Sequence, residues 1–109
     1  MTSLLSRSEV TLSVQDDTLL VAGDLVMSAA ADVAARGVQW LREFERSSVR
    51  LDFAQISKAS SVALSVLFEW LRACQALQIT VRSIVLSAPL KRLASLAELD
   101  ALTSSSVSA

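Results

Sequence analysis

The sequence predicts an α/β fold, in which helices pack on a small four-stranded mixed sheet in the order β-β-α-β-α-β-α. Two short segments, residues 10–14 and 49–53, alternate apolar and polar residues with the period of two that is typical of a half-buried strand, and residues 18–22 and 79–86 are two further apolar-rich runs of strand length. Three longer segments repeat apolar residues at helical spacing. After an initial hairpin the strands and helices alternate, and such alternation implies crossover connections and largely parallel pairing.

The first two strands are expected to form a hairpin. Residues 10–14 alternate apolar and polar side chains, residues 15–17 supply a polar turn, and residues 18–22 form the returning strand. A long helix is then predicted from Ser28, a residue type favoured at helix N-caps, to Glu45.

The rest of the chain predicts two further strand–helix pairs. Residues 49–53 alternate as a third strand, residues 54–60 form a loop, and residues 61–78 form a second helix. A fourth strand is expected over residues 79–86. Pro89 then occupies a position that suits the first turn of a third helix.

The chain of 109 residues is long enough for one domain with one core. Residues 1–8 are Ser-rich and polar, and we expect a flexible N-terminus there. Residues 103–109 are expected to form a flexible C-terminal tail. No Pro/Gly linker, charge block or internal repeat divides the sequence between them. We therefore predict a single domain over residues 9–102.

The composition argues against catalysis and against several classes of ligand. Ten Lys and Arg against eleven Asp and Glu leave a net charge of −1, which gives no electrostatic reason to bind nucleic acid. Because the chain has no His, it lacks the usual general base and the imidazole metal ligand. No Gly-rich phosphate loop is present, so we expect neither cofactor nor metal. Asp24 and Asp52 could form a carboxylate pair, but Asp at a strand end is more often a turn or cap residue.

The apolar content favours an interaction module. Hydrophobic residues make up 52% of the chain, and a domain of this size must leave much of its surface exposed. The apolar run at residues 25–35 is well short of the roughly 20 residues that span a bilayer, and the first residues lack a signal-peptide pattern. Cys74 lies in an apolar helical pattern and is expected to be a buried thiol in a reducing compartment. We expect a cytoplasmic protein without direct membrane insertion.

The second predicted helix carries the most distinctive pattern in the sequence. Its small or polar residues fall on one narrow stripe, and nearly all its other residues are apolar. The stripe consists of Ser61, Ser65, Glu69 and Arg72. Two interpretations remain open. Either the helix is buried on three sides with a solvated seam, or Val62, Val66 and Trp70 border the stripe and form an apolar rim for docking.

The start of this helix also has two interpretations. Ser60 and Ser61 lie where free backbone N–H groups and the positive end of the helix dipole are expected. One of them can act as an N-cap, which contributes about 1 kcal/mol. A hydroxyl group here could also accept a phosphate, whose charge the helix N-terminus would stabilise.

These residues resemble the STAS domain family, the fold of anti-sigma-factor antagonists. The family has a hydrophobic strand that ends in Leu-Asp-Leu, a short loop, and then the pattern Asp-Ser/Thr-x-Gly-Leu at the start of a helix. In this sequence the corresponding segments are VRLDF at residues 49–53 and ISKASSVAL at residues 56–64. Residues 23–25, Gly-Asp-Leu, are similar to the family's Gly-Glu-Leu-Asp segment. The resemblance runs from about residue 10 to residue 102 and implies the element order predicted above.

The sequence departs from the family pattern at three positions. Ser60 replaces the acidic residue, Ala63 replaces the Gly, and Val26 replaces the Asp after the Gly-Glu-Leu segment. The hydroxyl position Ser61 and the following Leu64 match. Within the family, the short chain and its second helix most resemble the MlaB-type STAS subunits of bacterial phospholipid ABC transporters.

The resemblance implies a non-catalytic subunit that binds a cytoplasmic, MlaF-like ABC ATPase and, through it, the permease complex. Such a subunit would lie in the cytoplasm, peripheral to the inner membrane. In the alternative, an anti-sigma-factor antagonist binds an anti-sigma kinase and is switched by phosphorylation of Ser61. The predicted partner-binding residues, which we call the contact ridge, are Lys58, Ser60, Ser61, Val62, Ser65 and Glu69.

Overall fold

A computed structural model describes residues 2–7, 9–45, 47–58 and 60–96 of the chain. Its elements alternate much as the sequence predicts, with one additional strand at the start. They are β1 Thr2–Ser6, β2 Val10–Gln15, β3 Thr18–Gly23, α1 Met27–Arg42, β4 Ser48–Ile56, α2 Ser61–Leu77, β5 Thr80–Leu86 and α3 Ala88–Leu96. The predicted tail at residues 103–109 lies outside the described residues.

The strands form one mixed sheet in the order β1-β2-β3-β4-β5. The β1–β2 and β2–β3 pairs are antiparallel, whereas β3–β4 and β4–β5 are parallel. The crossover helices α1 and α2 connect these parallel strands, as parallel pairing requires. The structure therefore confirms the α/β class with a mixed sheet, and within the described ranges it corrects the strand count from four to five.

The additional strand lies where the sequence predicts a flexible N-terminus. Residues 2–6 form β1, which pairs antiparallel with β2, whereas the sequence pattern predicted no strand there. Leu4 and Leu5 are half-buried against the core. The backbone N–H of Arg7 donates to the carbonyl of Val10 at 2.9 Å, which joins the end of β1 to the start of β2. Backbone pairing and two leucines thus order a segment that lacks an alternating pattern.

The bounds of α1 and β4 differ from those expected. Helix α1 ends at Arg42, three residues before the predicted end at Glu45. Helix α1 begins at Met27 after Val26, which makes no side-chain cap hydrogen bond, so Ser28 is not the N-cap. Strand β4 continues to Ile56, which is buried and pairs with Gly23 of β3. The predicted loop over residues 54–60 therefore starts too early.

The core lies between one face of the sheet and the helices. Leu19, Leu51 and Phe53 are fully buried on the covered face, whereas Arg50 and Ala54 are exposed on the opposite face. Helices α1 and α2 pack side by side on the covered face. Because β3, β4 and β5 are parallel, the two helices that return between them run in the same direction.

The contact between α1 and α2 is close at Trp70. This side chain is fully buried, and its Nε1–H donates a hydrogen bond to the carbonyl of Ala34 at 3.2 Å. The centroid of its ring lies 5.3 Å from the centroid of the Phe53 ring. A Cβ atom added to Gly37 would lie 2.5 Å from Cε2 of Trp70. Gly37 therefore allows the indole to lie directly against the α1 backbone.

No helix within the described ranges is long and apolar enough to cross a membrane.

Candidate functional site

The loop before α2 is held by the end of β3. Gly23 has a φ of +104°, a conformation that glycine adopts without steric cost. Its carbonyl accepts hydrogen bonds from the Ser57 backbone N–H at 2.9 Å and from the Ser57 Oγ at 3.2 Å. Lys58 Nζ lies 3.3 Å from the Asp24 carboxylate. Gly23 at the end of β3 and Asp24 directly after it thus hold Ser57 and Lys58 in place before α2.

The structure assigns different roles to the two serines at the start of α2. Ser60 is the N-cap: its backbone is extended, and its Oγ accepts a hydrogen bond from the Ala63 N–H at 3.3 Å. Ser61 is the first helical residue and is exposed. Its carbonyl accepts a hydrogen bond from Ser65 Oγ at 3.0 Å. Among the described residues, no side chain or backbone group forms a hydrogen bond with the Ser61 hydroxyl, and Ser61 lies at the positive end of α2.

The polar stripe of α2 is exposed as predicted, but its apolar border is narrower. Val62 is half-buried, whereas Val66 and Trp70 are buried beneath α1. The prediction that all three border the stripe is therefore wrong for Trp70, while Val66 is buried but lines the surface beside Ser65 and Glu69. Of the two interpretations, the structure supports a helix that is largely buried, with a solvated stripe. The exposed stripe residues are Ser61, Ser65, Glu69 and Arg72.

The contact-ridge residues occupy the loop before α2 and the first turns of the helix. Lys58 is exposed and paired with Asp24, while Ser60 is half-buried and caps the helix. The four helical members follow one side of α2 from its first residue to its third turn, with the three polar ones exposed and the valine half-buried; they are Ser61, Val62, Ser65 and Glu69.

The sequence interpretation missed a groove that runs between α1 and α2, which we call the α1–α2 groove. Its first half lies beside the contact ridge and is largely apolar. Alanines of α1 form one wall, and α2 supplies the other with two valines, a serine and a glutamate. The lining residues are Ala30, Ala31, Ala34, Val62, Ser65, Val66 and Glu69. The alanine-rich run of α1 was the available signal, since small side chains leave room between neighbouring helices.

The second half of the α1–α2 groove is basic. Ala35 and Val38 of α1 face Ala73 of α2 across it. Arg42 and Arg72 line the same half, and Glu69 lines both halves of the groove. Both arginines are exposed. Within the described part of the chain, neither arginine forms an ion pair.

The acidic and thiol groups considered for chemistry have structural partners or are buried. Asp24 pairs with Lys58, and the Asp52 carboxylate accepts a hydrogen bond from the Ala54 N–H at 2.9 Å. Cys74 is 1% exposed, and burial raises the pKa of its thiol to about 11. Among the described residues, no group of three or more acidic or Cys side chains is placed to hold a metal ion.

Comparison with known proteins agrees with this architecture. No curated protein matches the chain. Among solved structures, the unphosphorylated form of the anti-sigma factor antagonist SpoIIAA matches with a TM-score of 0.64 and 14% sequence identity, over 83% of this chain and 81% of that one. At this identity the match shows the fold alone. The family model described as "Mlab, STAS domain" matches residues 8–104, so the chain belongs to the MlaB-type STAS domain family.

Proposed function

We propose that the chain is the non-catalytic STAS subunit of a bacterial phospholipid-transport ABC complex. In this role it binds the cytoplasmic ATPase subunit and, through it, the permease, and supports the assembly or activity of a transporter that maintains outer-membrane lipid asymmetry. The proposal places the chain in the cytoplasm, peripheral to the inner membrane. The family match supports a non-catalytic, protein-binding role, since STAS domains bind partner proteins and are generally non-catalytic.

The observation that carries the proposal is the surface of the contact ridge. Ser61, Ser65 and Glu69 are exposed along one side of α2, directly beside the apolar half of the α1–α2 groove. A polar rim around a small apolar centre is the usual composition of a non-obligate protein interface. Because Ser61 and Ser65 are short, a partner can approach the α2 backbone closely there.

The anti-sigma-factor antagonist is the second candidate function, and one observation favours it. The Ser61 hydroxyl is exposed at the N-terminus of α2, where the helix dipole stabilises a phosphate. In this alternative an anti-sigma kinase phosphorylates Ser61 and the added charge releases the complex. Incubation with candidate kinases and ATP, followed by mass spectrometry, tests this function, and stoichiometric phosphate on Ser61 would favour it over the transporter role.

Binding to the ATPase subunit of the phospholipid transporter from the same genome tests the main proposal. We expect Ser61→Arg to lower the affinity at least about tenfold, because a long cation would stand between the α2 backbone and a closely approaching partner. Ser47→Arg is the matched control. Ser47 is also exposed, but it precedes β4 at the end of the strand opposite the start of α2.

These measurements test the transporter role and the contact ridge independently. Failure of the wild-type chain to bind the ATPase would refute the transporter role. Equal binding by Ser61→Arg and the wild type would leave that role standing and refute the contact ridge as the binding surface. Equal losses in Ser61→Arg and Ser47→Arg would also count against the ridge.

A further inference from the structure

The α1–α2 groove is polarised along its length. Its half beside the start of α2 is lined by alanine and valine side chains with Ser65. Its other half contains Arg42 and Arg72. Glu69 is the acidic residue between the two halves, and it forms no ion pair with either arginine. The groove therefore combines an apolar half with a half that carries two arginines, one glutamate and no ion pair between them within the described ranges.

The helix directions add to this polarity. Because α1 and α2 run in the same direction, both negative dipole ends lie at the end of the groove that contains Arg42. The first turn of another helix carries a positive dipole end and favours acidic side chains. A helix lying in the groove antiparallel to α1 and α2 would place its acidic first turn over Arg42 and Arg72. Its next turns would then lie over the apolar half.

We propose that the α1–α2 groove binds one amphipathic helix of the partner protein, antiparallel to α1 and α2. The apolar stripe of this helix carries small residues, and its first turn carries at least two carboxylates that pair with Arg42 and Arg72. This inference rests on the proposed function for the identity of the partner, and it specifies the segment that the partner contributes. Helix-in-groove recognition is an established mode of binding. The charged end of the groove sets the direction of the helix, and the small side chains set its depth.

Photocrosslinking in cells of the native host tests the proposal with the full chain. The photoreactive residue p-benzoylphenylalanine replaces Ala35, which is exposed at the basic half, or Ser65, which lines the opposite wall. Ala54, exposed on the uncovered face of the sheet, is the control position. Thermal melts establish that each variant is folded. We expect both groove positions, and not position 54, to crosslink to one helical partner segment with carboxylates in its first turn.

Charge reversal tests the two ion pairs that Arg42 and Arg72 are proposed to form with the bound helix. We expect Arg42→Glu combined with Arg72→Glu to lower the crosslink yield at position 35 about tenfold, because two ion pairs become repulsive contacts. Arg50→Glu combined with Arg92→Glu changes the net charge equally at exposed residues outside the groove. We expect this control to crosslink as the wild type does.

The outcomes test the groove proposal independently of the transporter role. A crosslink to the predicted kind of segment in the ATPase supports both. A crosslink to such a segment in another protein supports the groove and refutes the ATPase as its partner. The groove proposal is overturned if neither groove position crosslinks above the control, or if charge reversal leaves the yield unchanged. Crosslinks to lipid, to a second copy, to residues 97–109 of the same chain, or to a segment without carboxylates overturn it as well.

Discussion

Replacing Gly37 with alanine tests the packing between α1 and α2. In an exposed helix interior, Gly→Ala stabilises a protein by roughly 1 kcal/mol through helix propensity. Here the new Cβ would lie 2.5 Å from two atoms of the Trp70 ring, whereas carbon atoms in contact prefer about 3.5–4.0 Å. The ring or the helix must therefore move by about 1 Å.

The cost of that movement exceeds the gain in propensity. Overpacking of a core typically costs about 1–3 kcal/mol. Movement of the indole also weakens its buried 3.2 Å hydrogen bond to the Ala34 carbonyl, and leaving such a donor without a partner costs about 1–3 kcal/mol. After the propensity gain is subtracted, we expect Gly37→Ala to lower the free energy of unfolding by about 1–5 kcal/mol.

Urea denaturation of a double-mutant cycle with Trp70→Phe measures the coupling between the two positions. The smaller ring leaves space for the new methyl group, so Gly37→Ala should be neutral or stabilising in the Trp70→Phe background. Ala31→Gly is the matched control, because Ala31 is exposed on the same helix and reports the propensity effect alone. If Gly37→Ala stabilises the wild type, or costs the same in both backgrounds, the proposed contact is wrong.

Three further changes test the site and the core. Ser60→Ala should lower the free energy of unfolding by about 1 kcal/mol in urea denaturation, because an N-cap is lost. Ser61→Ala should change this free energy little, and equal effects of the two changes would contradict the assignment of the cap. Gly23→Ala should cost at least about 2 kcal/mol by the same measurement, because its φ is +104° and a Cβ would lie 2.3 Å from the Glu9 carbonyl oxygen; a neutral result would refute the close approach. Since burial raises the pKa of Cys74 from 9.0 to about 11, the unfolded chain releases this proton first as the pH rises. Stability should therefore fall between these pH values, by up to roughly 2–3 kcal/mol, and Cys74→Ala should show a smaller fall in alkaline denaturation curves.

The periodicity of the sequence predicted the elements that bury one face, but not those that depend on tertiary contacts. Residues 2–6 have no alternating pattern, and they form a strand because β2 offers a pairing edge and Leu4 and Leu5 reach the core. Helix α1 starts without a side-chain cap next to Leu25, which is buried. Packing thus determines the start of α1 more than the serine that the cap rule favours.

The candidate site was predictable where it depends on local sequence. The exposed stripe of α2 and the capping serine follow from helical spacing and the preference for hydroxyl side chains at N-caps. The α1–α2 groove could not be predicted from the sequence, because predicting it requires knowing which residues of α1 face α2. Val66 and Trp70 are covered because Ala34 and Gly37 of α1 lie opposite them. Helical spacing within α2 contains no information about the packing of α1.

The anchoring of the loop by Gly23 has a consequence for fragments of this domain. Every contact-ridge residue lies between Lys58 and Glu69, so a fragment beginning at β4 would contain them all. Such a fragment would lack the Gly23 carbonyl that accepts both Ser57 hydrogen bonds and the Asp24 carboxylate that pairs with Lys58. The smallest unit that presents this binding surface correctly therefore includes the β2–β3 hairpin, and a selection for minimal binders from this domain should retain it.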